Sequence, residues 1–301
     1  MSEKDIVLKR YFSDNERFSD LINGIAFGGR MVVHTNQIEE KETVSSYQKD
    51  GRVFKRERDI IKKISDGSKS IYIACENQME IHYGMPFRTL LYNGLTYDEQ
   101  MRKCKKRHKE NRDLKGSSEF LSGMKKDEKL MAVVTFVCYY GHKEWDSHLS
   151  LKEIVKIPRG FQDLGSYLAD YPINLVPMMK IDPNVFHGEL RELIKLLQCN
   201  MDIQKIEETV RCDSRCRYLS EETFEVFMVL SDVKMPLKRL KKMVKFKQEG
   251  KVEYDMCRAF EQLEARGEAR GEERINQLYT MLFSEKRYDE LEKAMADKEY
   301  R

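Results

Sequence analysis

The sequence has 301 residues, 41% of them hydrophobic and 35% charged, which fits a globular protein with one large domain or two modest ones. The net charge is only +3, so the chain is not a polycation, and any nucleic-acid surface must come from local clusters of basic residues. No stretch approaches the roughly 18 apolar residues that span a bilayer, and the charged N-terminus lacks the apolar region of a signal peptide. We therefore expect a cytoplasmic protein without a membrane partner.

The N-terminal region predicts a helix followed by a loop. Apolar residues recur near helical spacing over residues 6–28, Ser13 or Asp14 would cap the main part, and Gly28-Gly29 would end it. Residues 30–50 are polar and acidic with little periodicity, which predicts a loop or a poorly ordered insertion.

A pair of strands is predicted next. Residues 53–64 and 70–76 have strand character, and the turn signal at 65–68 separates them. In the second strand Ile71, Ile73 and Cys75 alternate with Tyr72, Ala74 and Glu76, so the two sets face opposite sides of a sheet.

The rest of the chain predicts one long helix, further strands and then helices. Pro86 lies near the start of a helix that runs to about Arg112, and a soft linker follows at 116–118. Residues 131–141 form an apolar strand suited to the centre of a sheet, and residues 173–181 a strand interrupted by proline. Apolar stripes at helical spacing then cover residues 185–197, 221–230 and 252–281.

This order of elements predicts an α/β fold, with a mixed-sheet core flanked by helices and a helical C-terminal region. We expect a core over residues 1–182, a helical region over 183–250 and a charged helical tail over 251–301. The tail contains a near-repeat of Glu, Ala, Arg and Gly at 264–274, followed by an apolar stripe at 275–283. That stripe must pack on something, and self-association and docking on the core both remain open.

The chemistry is concentrated in the predicted strand pair. Asp59 lies on the first strand and Glu76 closes the second, so a hairpin would bring the two carboxylates side by side. Phosphodiester hydrolysis needs a hard cation, and Mg²⁺ prefers oxygen ligands and takes one or two carboxylates from a protein. Gln78 is two residues beyond Glu76 and faces the same way, where an attacking water would lie.

This arrangement resembles the PD-(D/E)xK nuclease motif. More specifically, the chain resembles the recombination-promoting nuclease and transposase (Rpn) family, and the Glu/Arg/Gly tail is typical of that family. The residues that carry the resemblance are Ser13-Asp14-Asn15-Glu16-Arg17-Phe18, Gly28-Gly29, Arg58-Asp59-Ile60, Glu76-Asn77-Gln78, Met85-Pro86, Arg88, Tyr92 and Glu144-Trp145.

The resemblance implies a restriction-endonuclease-like core and metal-dependent DNA endonuclease activity linked to recombination or mobile elements. It implies that Asp59 and Glu76 are ligands for Mg²⁺ or another divalent cation such as Mn²⁺ or Ca²⁺. Gln78 would take the position of the motif lysine and act as a catalytic residue. An acid on the first helix often joins such sites, and Asp20 is the best-placed candidate.

Two residues depart from the motif. Arg58 replaces the proline, and Gln78 replaces the lysine, although glutamine is usual in this family. A neutral side chain cannot offset negative charge in the transition state but can still orient a water. Lys62 or Lys63 on the same strand would then supply the positive charge.

Two basic runs predict contacts with DNA phosphates. Residues 101–130 hold 11 Lys and Arg against 5 Asp and Glu, and residues 234–247 hold 7 Lys and Arg without an acid. Such runs are also common on solvated helix faces, and the second would suit an amphipathic helix on a membrane surface or a partner. The residues predicted to bind DNA are Lys62, Lys63, Arg88, Lys105, Lys106, Arg107, Lys241 and Lys242.

Three interpretations remain. The first is a divalent-metal-dependent DNA endonuclease. The second is a degenerate nuclease fold that binds DNA or a protein partner without cutting, and the third is a helical scaffold that oligomerises through its C-terminal helices. Cys212 and Cys216 lack the partners of a zinc site, and His108 and the later histidines show no metal-binding spacing of the HxxxH type, so ordinary reduced thiols are expected.

Overall fold

A computed structural model describes residues 2–49, 52–200, 202–231, 244–248, 251–285 and 287–296. The chain divides into two compact units, the first comprising residues 1–200 and 225–232 and the second 201–224 and 233–301. The domain boundaries expected at residues 182 and 250 stay predictions. Among the described residues, no helix combines the length and the apolar character that crossing a bilayer requires.

The secondary structure follows in chain order. The helices are α1 (Glu3–Tyr11), α2 (Asn15–Phe27), α3 (Met85–Asn111), α4 (Gly116–Ser122), α5 (Leu151–Ile154), α6 (Leu190–Gln198), α7 (Ile203–Cys212), α8 (Glu221–Leu230), α9 (Met256–Ser284) and α10 (Tyr288–Ala296). The strands are β1 (Ile38–Glu40), β2 (Val44–Lys49), β3 (Arg52–Glu57), β4 (Ile60–Asp66), β5 (Lys69–Gln78), β6 (Val133–Tyr139), β7 (Asn174–Pro177), β8 (Tyr218–Leu219), β9 (Lys245–Gln248) and β10 (Lys251–Asp255). Short 3₁₀ helices lie at Thr35–Gln37, Gln162–Tyr167, Met178–Lys180, Pro183–Val185 and Ser214–Cys216.

The first unit contains a mixed five-stranded sheet in the order β1-β4-β5-β6-β7. Strands β1, β4 and β5 pair antiparallel, whereas β5, β6 and β7 pair parallel. Because parallel neighbours cannot be joined by a tight turn, the chain crosses from β5 to β6 through α3 and α4. An α/β fold with a mixed sheet flanked by helices is therefore confirmed.

Helices cover both faces of this sheet. On one face, Ile61, Ala74 and Val133 form a core with Tyr97 of α3, and α3 also binds the start of β6 because the Tyr97 hydroxyl accepts the Val133 N–H at 3.1 Å. On the opposite face, the Lys62 side chain passes over the Phe18 ring of α2. The middle of the sheet is therefore covered on both faces.

The N-terminal helix prediction is partly right. Residues 6–28 are two helices rather than one, because the chain turns at Phe12 to Asp14. Asp14 is the cap of α2 and accepts the Arg17 N–H at 2.9 Å, while Gly28 ends α2 in the left-handed conformation at φ 61°. This ending suits glycine because it has no β-carbon to clash.

The loop predicted over residues 30–50 is wrong, since it contains β1 and β2. β1 lies at the sheet edge, where Glu39 and Glu40 stand opposite Lys63 and Lys62 of β4. Residues 53–64 are likewise not one strand, because β3 pairs with β2 in a separate two-stranded sheet and β4 begins only at Ile60.

The structure differs from the predictions at further places later in the chain. The predicted linker at 116–118 belongs to α4, whereas α3 begins and ends where expected. In the second unit, β8, β10 and β9 form a three-stranded sheet that the helical interpretation of the C-terminal region missed. The stripe predicted over 275–283 packs at least partly within that unit, since Leu282 and Ala294 are buried and the Tyr279 hydroxyl donates to the Ala294 carbonyl at 3.3 Å.

Candidate metal centre

The predicted acidic pair lies at one end of the β4–β5 hairpin. Ile60 of β4 is paired with Cys75 of β5, so continuing the antiparallel register by one residue places Asp59 opposite Glu76. Opposite residues of an antiparallel pair project from the same face, at close range. The Asp59 carboxylate is also anchored, because its Oδ2 accepts the Asn77 backbone N–H at 2.7 Å. Asp59 therefore lies beside Glu76, but it precedes β4 and does not lie on the strand as predicted, because β3 and β4 are separate strands.

Glu76 is fully buried between the sheet and α3. Its Oε2 accepts a hydrogen bond from Arg88 of α3 at 3.1 Å, whereas its Oε1 has no hydrogen-bond partner among the described residues. Arg58 is also buried at this end of the sheet and donates to Thr135 at 3.0 Å and to Asn93 at 2.5 Å. The guanidinium groups of Arg58 and Arg88 both lie over the Tyr92 ring, at 5.4 and 5.3 Å from its centre.

The electrostatics of the pair oppose ionisation. Burial, and then the neighbouring Asp59 carboxylate, raise the pKa of Glu76 to about 8, although Arg88 and Arg58 act in the opposite direction. Burial also raises the pKa of Asp59, against the hydrogen bond from Asn77 and the charge of Arg88. Two carboxylates held together away from water resist carrying two negative charges unless a cation is added.

Asp59 borders a cavity of about 270 Å³. Asp59, Gln78 and Arg88 are among its lining residues, while Glu76 lies behind the wall. The Gln78 Nε2 donates to the Asn77 carbonyl at 2.9 Å, which leaves the Gln78 side-chain oxygen as an acceptor. Of the three predicted catalytic residues, Asp59 and Gln78 therefore line this cavity, whereas Glu76 does not.

The carboxylate oxygens of Asp59 and Glu76 fit a hard divalent cation. The Oε1 atom of Glu76 is an orphaned buried acceptor, and Asp59 uses only its Oδ2 atom in the bond to Asn77. Carboxylate oxygens are the ligands that Mg²⁺ and Mn²⁺ prefer. Burying a carboxylate oxygen without a hydrogen-bond partner is costly, so a ligand for Oε1 would remove this penalty.

Asp20, predicted as a further metal ligand, is engaged elsewhere. Its Oδ1 accepts the His187 N–H at 2.7 Å, and its Oδ2 accepts the Gly188 N–H at 3.0 Å. Both oxygens therefore hold the backbone ahead of α6 against α2. The structure assigns Asp20 this anchoring role, and within the described part of the chain it does not join Asp59 and Glu76 in a three-ligand cluster.

Lys62 is buried and does not lie where it could make the predicted contact with DNA. Its side chain is 1% exposed, and its ammonium donates to the Ser13 carbonyl, to Asn15 at 2.5 Å and to Glu40 at 2.8 Å. An ammonium held by these acceptors is not available to a phosphate, so this prediction is corrected. Lys63 is more exposed and pairs with Glu39 of β1 at 2.9 Å.

The first basic run lies on the C-terminal half of α3. Lys106 is largely exposed, and its ammonium lies 3.9 Å from Glu110, whereas Arg107 is ion-paired with Glu128. Lys105 lines a second cavity of about 500 Å³. At 1.5 Å per helical residue, Lys105 lies about 25 Å along α3 from Arg88. Lys241 and Lys242 lie outside the described residues.

Several residues near the acidic pair were not predicted from the sequence. Asp5 of α1 and Glu80 line the same cavity, and Asn77 is buried with both side-chain polar atoms unpartnered among the described residues. Only tertiary packing brings α1 to the end of β5, so no spacing in the sequence predicts that Asp5 lies at this cavity. His82, which the sequence leaves open as an assisting or a packed residue, also lines this cavity.

Comparison of the chain with family models, with curated proteins and with solved structures gave no match.

Proposed function

We propose that this chain is a divalent-metal-dependent DNA endonuclease with a PD-(D/E)xK-type core, as its resemblance to the recombination-promoting nuclease and transposase family implies. The observation that supports this most directly is the paired site at the end of the β4–β5 hairpin. Asp59 and Gln78 line one cavity, Glu76 lies opposite Asp59, and the buried Oε1 of Glu76 has no partner among the described residues.

Asp59 and Glu76 would hold Mg²⁺ or Mn²⁺. A bound cation supplies an activated water and neutralises the charge that builds on the phosphate oxygens during hydrolysis. The high pKa of Glu76, about 8, fits this role, because a cation placed against the pair favours the ionised form that burial disfavours.

The neighbouring side chains provide the remaining functions. The free oxygen of Gln78 accepts an O–H from the attacking water and orients it. Arg88 lines the cavity and carries a fixed positive charge, which replaces the charge of the motif lysine that Gln78 lacks. A guanidinium also matches the geometry of a phosphate. The exposed cations of α3, such as Lys106, would hold the DNA backbone farther from the site.

A second function, DNA or protein binding without cleavage, is favoured by one contact. Arg88 already pairs with Glu76 at 3.1 Å, so the buried carboxylate is partly neutralised without a metal. In such a degenerate nuclease the acids would serve to position Arg88, and DNA affinity would not depend on divalent cations.

Cleavage of supercoiled plasmid separates the two functions. We expect nicking with Mg²⁺ or Mn²⁺, no nicking with EDTA, and loss of nicking in Glu76→Gln with DNA binding retained. The matched control is Glu110→Gln, the same change at an exposed glutamate on α3, which should cut like the parent chain. Salt-sensitive DNA binding without nicking under either metal would instead favour the degenerate module.

A further inference from the structure

A second cluster of metal-ligand side chains lies at the other end of α3. Cys104 and His108 are four residues apart on the helix and therefore face the same side, and Glu128 approaches them from the segment after α4. One donor atom from each of the three side chains lies within 4.8 Å of the others, and Cys104 and His108 are buried. This is the single such group of three in the part of the chain that the structure describes.

Both ring nitrogens of His108 face carboxylates. Its Nδ1 lies 2.6 Å from Asp113 Oδ1, and its Nε2 lies 2.7 Å from Glu128 Oε2. A neutral imidazole carries a proton on one nitrogen only, so with Nδ1–H donating to Asp113 the Nε2 atom is an acceptor that can bind a metal ion together with Glu128. A carboxylate on Nδ1 is the partner that commonly orients a metal-binding histidine.

The guanidinium of Arg107 already lies beside the three donor atoms. Arg107 Nη2 lies 3.4 Å from His108 Nε2 and 3.7 Å from Cys104 Sγ, and it is ion-paired with Glu128. The Arg107 side chain is 56% exposed, so it can leave toward solvent without breaking the core.

We propose that Cys104, His108 and Glu128 form a Zn²⁺ site, with Asp113 as the partner of the His108 ligand. A thiolate, an imidazole and a carboxylate are ligands that zinc accepts together, and three protein ligands leave a fourth position for water or another donor. Thiolate ligation distinguishes this site from the oxygen-only site at Asp59 and Glu76. The ion would join α3 to the chain around Glu128.

The test is cobalt substitution of the full-length protein after removal of metals by a chelator. Cobalt bound through Cys104 gives a thiolate-to-metal charge-transfer band in the near ultraviolet, and added Zn²⁺ should abolish it by displacement. We expect the band in the parent chain and in Cys212→Ser, which changes an exposed cysteine, and its loss in Cys104→Ser. Glu76→Gln should keep the band, so failure of the nuclease proposal would leave this result unaffected.

Zinc affinity, measured by competition with a chromophoric indicator, gives a second readout. Asp113→Asn should weaken Zn²⁺ binding about 10- to 100-fold, as expected for loss of a partner behind a histidine ligand. A parent chain that gives no thiolate band with Co²⁺, or a Cys104→Ser protein that retains the band, would overturn the proposal. The parent spectrum decides the matter even if Cys104→Ser fails to fold. In either overturning case the cluster is a network of hydrogen bonds that joins His108 and Arg107 to the neighbouring acids.

Discussion

Replacing the Glu76 carboxyl with the neutral amide of glutamine should stabilise the metal-free protein while abolishing its activity. Glu76 is fully buried, and its pKa is raised to about 8, first by burial and then by Asp59. Glutamine has the shape of the protonated acid. Glu76→Gln therefore removes the cost of ionising this buried group and leaves the packing nearly unchanged.

The size of the effect follows from the pKa shift. Because the folded-state pKa, about 8, exceeds the ordinary value of 4.5, the folded protein binds this proton more tightly than the unfolded chain. The associated stability is fully present below pH 4.5 and is lost as the pH rises through 8. Each pKa unit is worth about 1.4 kcal/mol, so the loss totals roughly 5 kcal/mol at high pH and roughly 3 kcal/mol at pH 7.

Denaturant unfolding in EDTA at pH 5, 7 and 9 measures this effect. Trp145 is the sole tryptophan of the chain and lies in the first unit, 5.1 Å from the Tyr139 ring, so its fluorescence follows the unit that contains Glu76. The stability advantage of Glu76→Gln should be small at pH 5 and grow to several kcal/mol at pH 9.

Glu110→Gln is the matched control, since its exposed carboxylate lies 3.9 Å from Lys106, and its stability should stay within about 0.5 kcal/mol of the parent at each pH. If the free energy of unfolding of the parent chain and of Glu76→Gln changed with pH in the same way, the reasoning would be refuted. Glu76 would then ionise equally easily in the folded and unfolded chains.

Three further predictions test Asp59, the buried Lys62 and the buried amide of Asn23. Asp59→Asn should lower the pKa of Glu76, by removing the neighbouring carboxylate, and abolish plasmid nicking; the first effect is read from the pH dependence of unfolding and the second on gels. Lys62→Met should cost about 2 kcal/mol in denaturant unfolding, because the hydrogen bonds of the buried ammonium to Ser13, Asn15 and Glu40 are lost, whereas Lys106→Met should leave stability unchanged and weaken DNA binding at low salt in a filter-binding titration. Asn23→Ala should also cost about 3 kcal/mol in denaturant unfolding, since the buried Asn23 amide holds the backbone at residues 32–33 through hydrogen bonds of 2.8 to 3.0 Å. If Lys62→Met or Asn23→Ala were as stable as the parent chain, the role given to that residue would be contradicted.

Local signals in the sequence were sufficient to predict much of the secondary structure of the first unit. The Asp14 cap and the Gly28 ending bound α2 as expected, and α3 spans the predicted residues. β1 was missed because its polar residues carry no strand pattern of their own, and it becomes a strand by pairing with β4. The break between β3 and β4 was missed for a similar reason, since pairing with β2 decides it.

In the candidate site, too, some features follow from the local sequence and others depend on tertiary packing. The pairing of Asp59 with Glu76, and the shared direction of Gln78, follow from the turn and from the two-residue period of a strand. The burial of Lys62 depends on where α2 packs, which no local pattern gives. The spacing of four residues between Cys104 and His108 places both side chains on one helix face, but a search for paired histidines misses it.

Binding of Mn²⁺ to the purified chain, counted by the loss of the free-ion signal in electron paramagnetic resonance, tests the central claim most directly. The parent chain and Glu110→Gln should bind Mn²⁺ at a site that Glu76→Gln and Asp59→Asn lack, and Mg²⁺ should compete for it. Equal Mn²⁺ binding by the parent chain and Glu76→Gln would contradict a metal centre at the end of the β4–β5 hairpin.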